Sequence, residues 1–155
     1  MNETTFCTTE SPIGRLAIYT RGDAIVVLDW VTTDPARPTT ALEAEATYQL
    51  AAYFAGKLKS FDLPLAPDGT LHQKKVWAEM SRVPFGSLRT YGDLAKIIGS
   101  GAQAIGTACS KNPIPIIVPC HRIVATDGGI GGYSGHGGVS TKQTLLALEG
   151  SVPGQ

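Results

Sequence analysis

The stretch "IIVPCHRIVATDGG", residues 116–129, places a cysteine, a histidine and an arginine side by side behind a hydrophobic run and a proline. The apolar lead-in is typical of a strand, and it predicts that Cys120 is carried into the protein interior. Thiol, imidazole and guanidinium groups cost free energy when they are buried without partners. The rest of the chain must therefore provide partners for these groups or a chemical use for them.

A nucleophilic cysteine is the chemistry that this stretch indicates. A free thiol has a pKa of about 8.5, so Cys120 needs a base and a positive neighbourhood, which His121 and Arg122 could supply. Successive strand residues point to opposite faces, so His121 would reach the thiol only at a turn or through water. Either Glu149 or Asp127 could orient the imidazole. The alternative is an inert buried cysteine beside an exposed histidine and arginine, and composition alone favours it.

The composition of the whole chain is that of an ordinary globular protein. The 155 residues have a net charge of zero, with 17% charged and 43% hydrophobic residues, which fits one domain or two small ones. Because the chain has no excess of basic residues, nucleic-acid binding would have to come from a local patch of positive charge. The first twenty residues lack a signal peptide pattern, and no stretch is long enough to cross a membrane, so we expect a cytoplasmic protein. Three cysteines without CxxC spacing predict neither disulfides nor zinc, and no metal is expected.

The first part of the chain predicts strands followed by a helix. "GRLAIYT" (14–20) and "AIVVLDW" (24–30) are short β-rich runs separated by "RGD", which fits a hairpin. Thr40 is a candidate N-cap for a helix over 41–57. Residues 60–70 contain two prolines and no clear period, and we interpret them as a linker.

The second part predicts mainly helices. "LHQKKVWAEMSRV" (71–83) has helical spacing, and "TYGDLAKIIG" (90–99) begins with Thr90 as a candidate N-cap. "GAQAIGTACSKNP" (101–113) predicts another helix after "GSG", and the pair fits either a helix-turn-helix or a tight α-hairpin of a core.

A glycine-rich segment follows the reactive stretch. "DGGIGGYSGHGG" (127–138) has seven glycines in twelve residues and precedes a good helix, "TKQTLLALEG" (141–150). It fits either a flexible linker or a loop that lets backbone approach a ligand, and we favour the binding loop.

The predicted fold class is α/β (α+β), with two parts. A small strand-plus-helix domain spans residues 1–66 with its linker, and a mainly helical domain with a helix-turn-helix spans 67–155.

Several motifs resemble the O6-alkylguanine-DNA alkyltransferases over nearly the whole chain. In the second part these are "QKKVWAEMSRVPFGSLRTYGDLA" (73–95), "NPIPIIVPCHRIV" (112–124), "GGYSG" (131–135) and "KQTLLALEG" (142–150). In the first part "SPIGRLAIYT" (11–20) and "YFAGKLKSFDLPL" (53–65) match. The resemblance implies DNA repair in which an alkyl group of O6-alkylguanine, with O4-alkylthymine as a further substrate, moves irreversibly to a cysteine after base flipping. It implies a monomer, double-stranded DNA as partner with single-stranded DNA as the alternative, and no cofactor.

The resemblance also implies roles for individual residues. Cys120 resembles the alkyl acceptor, His121 the water-mediated base and Glu149 the carboxylate that orients it. Tyr91 resembles the phenol that hydrogen-bonds guanine N3, with a core tyrosine as the alternative. Asn112 resembles the residue that organises the turn beneath the cysteine.

The remaining residues are expected to contact the base or the DNA. The carbonyls of Cys120 and Ile123 would accept from the guanine amino group, and Ser134 would donate toward O6. Gly132 and Tyr133 would line the pocket. Lys142 resembles a support for the loop, and a solvated surface lysine is the alternative. The residues expected to contact DNA are Thr90, Ala102, Gln103, Ala104 and Arg122.

The chain departs from the family pattern around the DNA contacts. Gln103 stands where the family has an arginine that fills the space of the extruded base. The turn before it is about two residues shorter than usual, and the loop after Tyr133 about two residues longer. This departure motivates one alternative function, a damage-binding module with slow or no transfer. The zero net charge leaves a second alternative, a cysteine acceptor for small non-DNA alkyl donors. The zinc ligands of some members have no counterpart here.

Overall fold

A computed structural model describes residues 3–151 of the chain. The chain divides between Asp68 and Gly69 into two compact units, two residues beyond the predicted boundary. Strands and one helix form the first unit and helices dominate the second, which confirms the predicted fold class. Among the described residues, no helix has the length and apolar character needed to cross a membrane.

The first unit contains a three-stranded antiparallel sheet. Its strands are β1 (Thr4–Thr9), β2 (Leu16–Arg21) and β3 (Ala24–Trp30), in spatial order β1-β2-β3. The turn between β2 and β3 includes Gly22 with φ of 60°, a conformation that glycine adopts without steric cost. The predicted hairpin is therefore present.

One helix covers the sheet. It is α1 (Ala41–Phe54), which packs on β1 and β2 and buries Leu50 and Tyr53. The hydroxyl of Thr40 accepts from the backbone N–H of Glu43 at 3.1 Å, so the predicted N-cap is confirmed.

The segment predicted as a linker is in part attached to the sheet. The N–H of Ile25 donates to the carbonyl of Pro64 at 2.9 Å, and the N–H of Ala66 donates to the carbonyl of Ile25 at 2.8 Å. The Gln49 side chain bonds the backbone of Asp62. The segment lacks a sequence period because single backbone bridges hold it rather than a full strand.

Among the described residues, the second unit has four helices: α2 (Leu71–Met80), α3 (Tyr91–Ile98), α4 (Ala102–Ser110) and α5 (Gly138–Leu148). Thr90 is the N-cap of α3 as predicted, and it forms a capping box with Asp93. The left-handed Gly99 ends that helix, and α3 packs against α4 across the short turn, as in a helix-turn-helix.

The reactive stretch itself is a turn rather than a strand. Residues Cys120–Arg122 form a short 3₁₀ turn, followed by β5 (Ile123–Val124), which pairs in parallel with β4 (Arg89–Thr90). The N–H of Val118 bonds the carbonyl of Ile114 at 2.9 Å, which closes the lead-in into a loop. The predicted strand up to Cys120 is wrong because Pro115 and Pro119 lack the N–H groups that a strand ladder needs.

A buried carboxylate fastens α1 to the sheet of the first unit. Glu43 has no exposed surface, and its oxygens accept from the hydroxyls of Thr5 at 2.5 Å and Thr20 at 3.2 Å and from the N–H of Thr39 at 2.9 Å. Burial alone would raise the pKa of this carboxyl, but these hydrogen bonds outweigh it and hold the pKa below its usual value. Glu43 is therefore ionised at neutral pH.

Replacing Glu43 with glutamine should lower the free energy of unfolding by about 1–3 kcal/mol at pH 7, because buried donors then face an amide NH₂ group. The folded-state pKa is depressed, so the stabilisation is present above the unfolded-state pKa of about 4.3 and disappears as the pH falls through the folded-state pKa. Urea unfolding of both proteins at several pH values between 3 and 7 measures this. Glu10→Gln, which removes an exposed partner of Arg15, is the control and should change stability by at most about 1 kcal/mol. Equal losses for both variants would contradict the assignment.

Candidate active site

The three residues of the 3₁₀ turn are all buried. Cys120 and Arg122 are each 6% exposed and His121 is fully buried. The alternative in which an inert cysteine lies beside an exposed histidine and arginine is therefore wrong. Because the backbone turns within this segment, its side chains do not alternate between two faces as in a strand.

A carboxylate links the histidine and the arginine. Oε2 of Glu149 lies 2.8 Å from Nε2 of His121, while Oε1 accepts from Nε of Arg122 at 2.8 Å and Oε2 from its Nη2 at 2.9 Å. The remaining Nη1 donates to the carbonyl of Val83 at 2.7 Å. The expectation that Arg122 contacts DNA is therefore corrected, because its guanidinium is committed to buried acceptors.

The protonation state of His121 follows from these contacts. A carboxylate only accepts hydrogen bonds, so Nε2 carries the proton and Nδ1 keeps its lone pair. Nδ1 is buried and has no hydrogen-bond partner among residues 3–151. Burial lowers the pKa of His121, and Glu149 offsets this only in part. At neutral pH the ring is therefore a neutral imidazole with its basic nitrogen available.

The second candidate acid has a different position. Asp127 is exposed, and its carboxylate accepts from the N–H of Gly129 at 2.9 Å, two residues further along the same turn. Of the two carboxylates that the sequence offers, the structure brings Glu149 to the imidazole.

Asn112 shapes the loop that precedes the cysteine. Its amide donates to the carbonyl of Val118 at 2.8 Å and accepts from the N–H of Ile114 at 3.0 Å. Burial raises the pKa of the Cys120 thiol, while a hydrogen bond from Asn112 and the charge of Lys142 act in the opposite direction. The resting group is therefore a thiol with polar groups placed to stabilise its anion.

Lys142 is buried and holds two backbone segments together. Its Nζ donates to the carbonyl of Ile123 at 2.6 Å and to the carbonyl of Gly132 at 2.9 Å, so the alternative of a surface lysine is wrong. The adjacent Gly131 has φ of 74°, and a Cβ there would lie 3.2 Å from Cε2 of Tyr91. This part of the glycine-rich segment is thus a fixed wall rather than a linker.

A pocket of about 270 Å³ opens beside Cys120. It is lined by four of the residues that were expected to contact the base: Tyr91, Gly132, Tyr133 and Ser134. Gly106, Cys109 and Ser110 of α4 line it as well and were missed, because small residues within a helix give no signal of a pocket.

The titratable groups of the pocket wall are neutral at pH 7. Burial, together with the nearby Cys109 and Cys120, raises the pKa of Tyr91 to about 12. Burial also raises the pKa of Tyr133 and, to about 12, that of Cys109. Tyr91 can therefore act as a hydrogen-bond donor.

The other residues expected to contact DNA, Thr90, Ala102, Gln103 and Ala104, do not line this pocket. Ala102, Gln103 and Ala104 are exposed at the start of α4. An open groove of about 580 Å³ runs along this helix and includes Gln103, Ala104 and Thr107 together with Thr70 and His72. Thr90 serves as the cap of α3.

Comparison with known proteins shows similarity to the 6-O-methylguanine DNA methyltransferases. The family description "6-O-methylguanine DNA methyltransferase, DNA binding domain" matches residues 71–151, and its "ribonuclease-like domain" matches residues 5–67. The chain is 43% identical to a methylated-DNA–protein-cysteine methyltransferase of Mycobacterium leprae, over 90% of this chain and 88% of that protein. A Methanosarcina acetivorans protein of the same name is 52% identical over 69% of each chain.

Solved structures give the same grouping. The Mycobacterium tuberculosis O6-methylguanine methyltransferase has a TM-score of 0.83 at 36% identity, covering 99% of this chain and 97% of that one. A Mycobacterium tuberculosis OGT in complex with DNA also has a TM-score of 0.83, at 39% identity, covering 94% of this chain and 92% of that one.

Nitrogen NMR of ¹⁵N-histidine-labelled protein should show His121 as a neutral ring with its proton on Nε2. The pKa is lowered, so this state should persist below pH ~6.5, the ordinary histidine value. The same protein unfolded in urea gives the reference for a histidine ring in water. A doubly protonated His121 at pH 6 would contradict the geometry.

Proposed function

The chain belongs to the 6-O-methylguanine DNA methyltransferase family, and we propose that Cys120 is the residue that accepts the alkyl group when it repairs DNA. The observation that carries this assignment is the Cys120–His121–Glu149 arrangement. A buried thiol lines the pocket, the next residue is a neutral imidazole with an unoccupied basic nitrogen, and a carboxylate holds its other nitrogen. This is the arrangement of an activated nucleophile.

The transfer is a displacement at the alkyl carbon. The sulfur of Cys120 forms a bond to that carbon as the bond from carbon to guanine O6 breaks, and the electron pair of the broken bond remains on guanine. The product is a thioether, which water does not hydrolyse under mild conditions. Each protein molecule therefore reacts once.

The thiol proton has to leave as the new bond forms. We assign its acceptor as Nδ1 of His121, reached through a water molecule. The Glu149 carboxylate stabilises the imidazolium that results, and Arg122 fixes the carboxylate by two hydrogen bonds. Asn112 and Lys142 lower the free energy of the thiolate.

Negative charge develops on the departing guanine, and a proton or a hydrogen-bond donor has to stabilise it. The Tyr91 phenol lines the pocket, and its raised pKa keeps it protonated, so it suits donation to guanine N3. Ser134, also in the pocket wall, would donate toward O6, and the carbonyls of Cys120 and Ile123 would accept from the amino group. The Ile123 carbonyl already accepts from Lys142, and its second lone pair serves this contact.

The glycine-rich wall of the pocket supplies further contacts to the base. Gly132 and Tyr133 flank the base, and Lys142 fixes this wall through the carbonyl of Gly132. A base reaches this pocket only after it leaves the DNA stack, which costs a few kcal/mol.

DNA is the partner, and its binding surface is proposed to be the exposed start of α4 with the cap of α3. The residues concerned are Thr90, Ala102, Gln103 and Ala104. We propose that the protein acts as a monomer in the cytoplasm on double-stranded DNA.

Glu149→Gln should slow alkylation of Cys120 by roughly 10²–10⁴-fold, because the imidazole loses the carboxylate that stabilises its protonated form. The measurement is the rate of adduct formation with an O6-methylguanine duplex, followed by intact-mass spectrometry, with peptide mapping to locate the adduct.

Asp127→Asn is the matched control, since it alters an exposed carboxylate and should react at close to the native rate. An adduct on Cys109 rather than Cys120 would refute the assignment of Cys120 as the alkyl acceptor. A native rate for Glu149→Gln would refute the proposed proton transfer to an imidazole supported by Glu149.

Gln103→Arg should speed repair of an O6-methylguanine duplex at low protein concentration, because a guanidinium fills the space of the extruded base better and adds charge near phosphates. The rate with free O6-benzylguanine should stay within about twofold, since a free base needs no extrusion. The salt dependence of DNA binding should steepen by roughly one phosphate contact.

Gln143→Arg, on the exposed side of α5, is the control because it adds the same charge at another place. It distinguishes an effect of an arginine at position 103 from a general effect of one added positive charge. If both variants speed duplex repair equally, general attraction to DNA explains the effect. If Gln103→Arg changes the free-base rate, Gln103 shapes the alkyl pocket.

A further inference from the structure

The pocket beside Cys120 contains a second thiol. Cys109 of α4 lines it together with Cys120. A third sulfur lies close by, since Sδ of Met80 is 3.4 Å from Sγ of Cys109. Cys7, the remaining cysteine, lies in the first unit. Alkyl transfer to a single sulfur does not use the second thiol of this small cavity.

The two thiols also share an electrostatic environment. A charge on Cys120 raises the pKa of Cys109, and the charge of Lys142 acts on both thiols. A pocket of about 270 Å³ is at the small end of the range for ligand sites. A compact ligand seated there would therefore contact both sulfurs.

The protonation of the pair selects the class of ligand. Burial raises the pKa of both groups, to about 12 for Cys109, so both are thiols at neutral pH. Divalent zinc binds thiolates, so its binding would have to remove both protons first. Trivalent arsenic oxides instead condense with neutral thiols, and the proton of each thiol leaves in water.

We propose that Cys109 and Cys120 form a dithiol site for trivalent organoarsenic compounds. With phenylarsine oxide, two As–S bonds form and the As–O bonds break. The oxygen leaves as one molecule of water with the two thiol protons, and arsenic stays trivalent. Tyr91 and Tyr133 of the pocket wall offer faces for the phenyl ring.

The adduct would also occupy the proposed alkyl acceptor. An organoarsenical would then block the protein reversibly, whereas an alkyl group consumes it. The site rests on the two thiols of the pocket and does not require that Cys120 accept alkyl groups.

The test uses the full-length protein with one equivalent of phenylarsine oxide. Two thiols should disappear per arsenic bound, measured by thiol titration and intact mass. Because the second attachment is intramolecular, excess glutathione should displace the compound from Cys109→Ser roughly 10²–10⁴-fold more readily than from the native protein. 2,3-Dimercaptopropanol should release it from both.

Cys7→Ser is the control and should retain the compound like the native protein. Cys109→Ala should release the compound as readily as Cys109→Ser does. Urea unfolding of each variant shows whether it is folded. Loss of one thiol per arsenic, or equal retention by Cys109→Ser and native protein, would overturn the proposal.

Peptide mapping after addition of O6-benzylguanine separates this proposal from the proposed function. Native protein loaded with arsenic should take no benzyl group until the dithiol is added. A benzyl group on Cys120 of loaded protein would overturn the dithiol site. A benzyl group on another residue would overturn the assignment of the acceptor and leave the dithiol site standing.

Discussion

The site depends on one buried carboxylate, that of Glu149. A carboxylate without exposed surface costs several kcal/mol unless it is paired, and Arg122 supplies a full charge through two hydrogen bonds at 2.8 and 2.9 Å. Because the guanidinium provides the charge balance, His121 can remain neutral beside the same carboxylate. A neutral imidazole is the form that accepts a proton. Arg122 thus leaves His121 in the protonation state that the proposed role as a base requires.

Hydrogen bonds to backbone groups fix the relative positions of the segments that form the pocket. The parallel pairing of Thr90 with Val124 places Tyr91, the first residue of α3, beside the strand that leaves the 3₁₀ turn. Lys142 then ties that strand, through Ile123, to the glycine-rich wall. Each of these contacts uses main-chain groups on at least one side, so the positions of the side chains that face the ligand follow from the fold.

The sequence predicted local structure better than it predicted contacts. Thr40 and Thr90 were identified as helix caps because capping is a property of neighbouring residues. The burial of Arg122 and Lys142 was not predictable, because long charged side chains are usually exposed and their acceptors lie far away in sequence. The strand expected before Cys120 failed because apolar residues are equally suited to a buried loop when prolines remove donors.

The alkyl pocket and the proposed DNA surface share α4 without sharing residues. Gly106 and Cys109, three positions apart, face the pocket. Gln103 and Thr107, four positions apart, face the open groove. The two sets of residues line different cavities along the same helix. The departure from the family pattern at Gln103 therefore falls outside the residues that line the pocket beside Cys120, and within the groove that includes the proposed DNA surface.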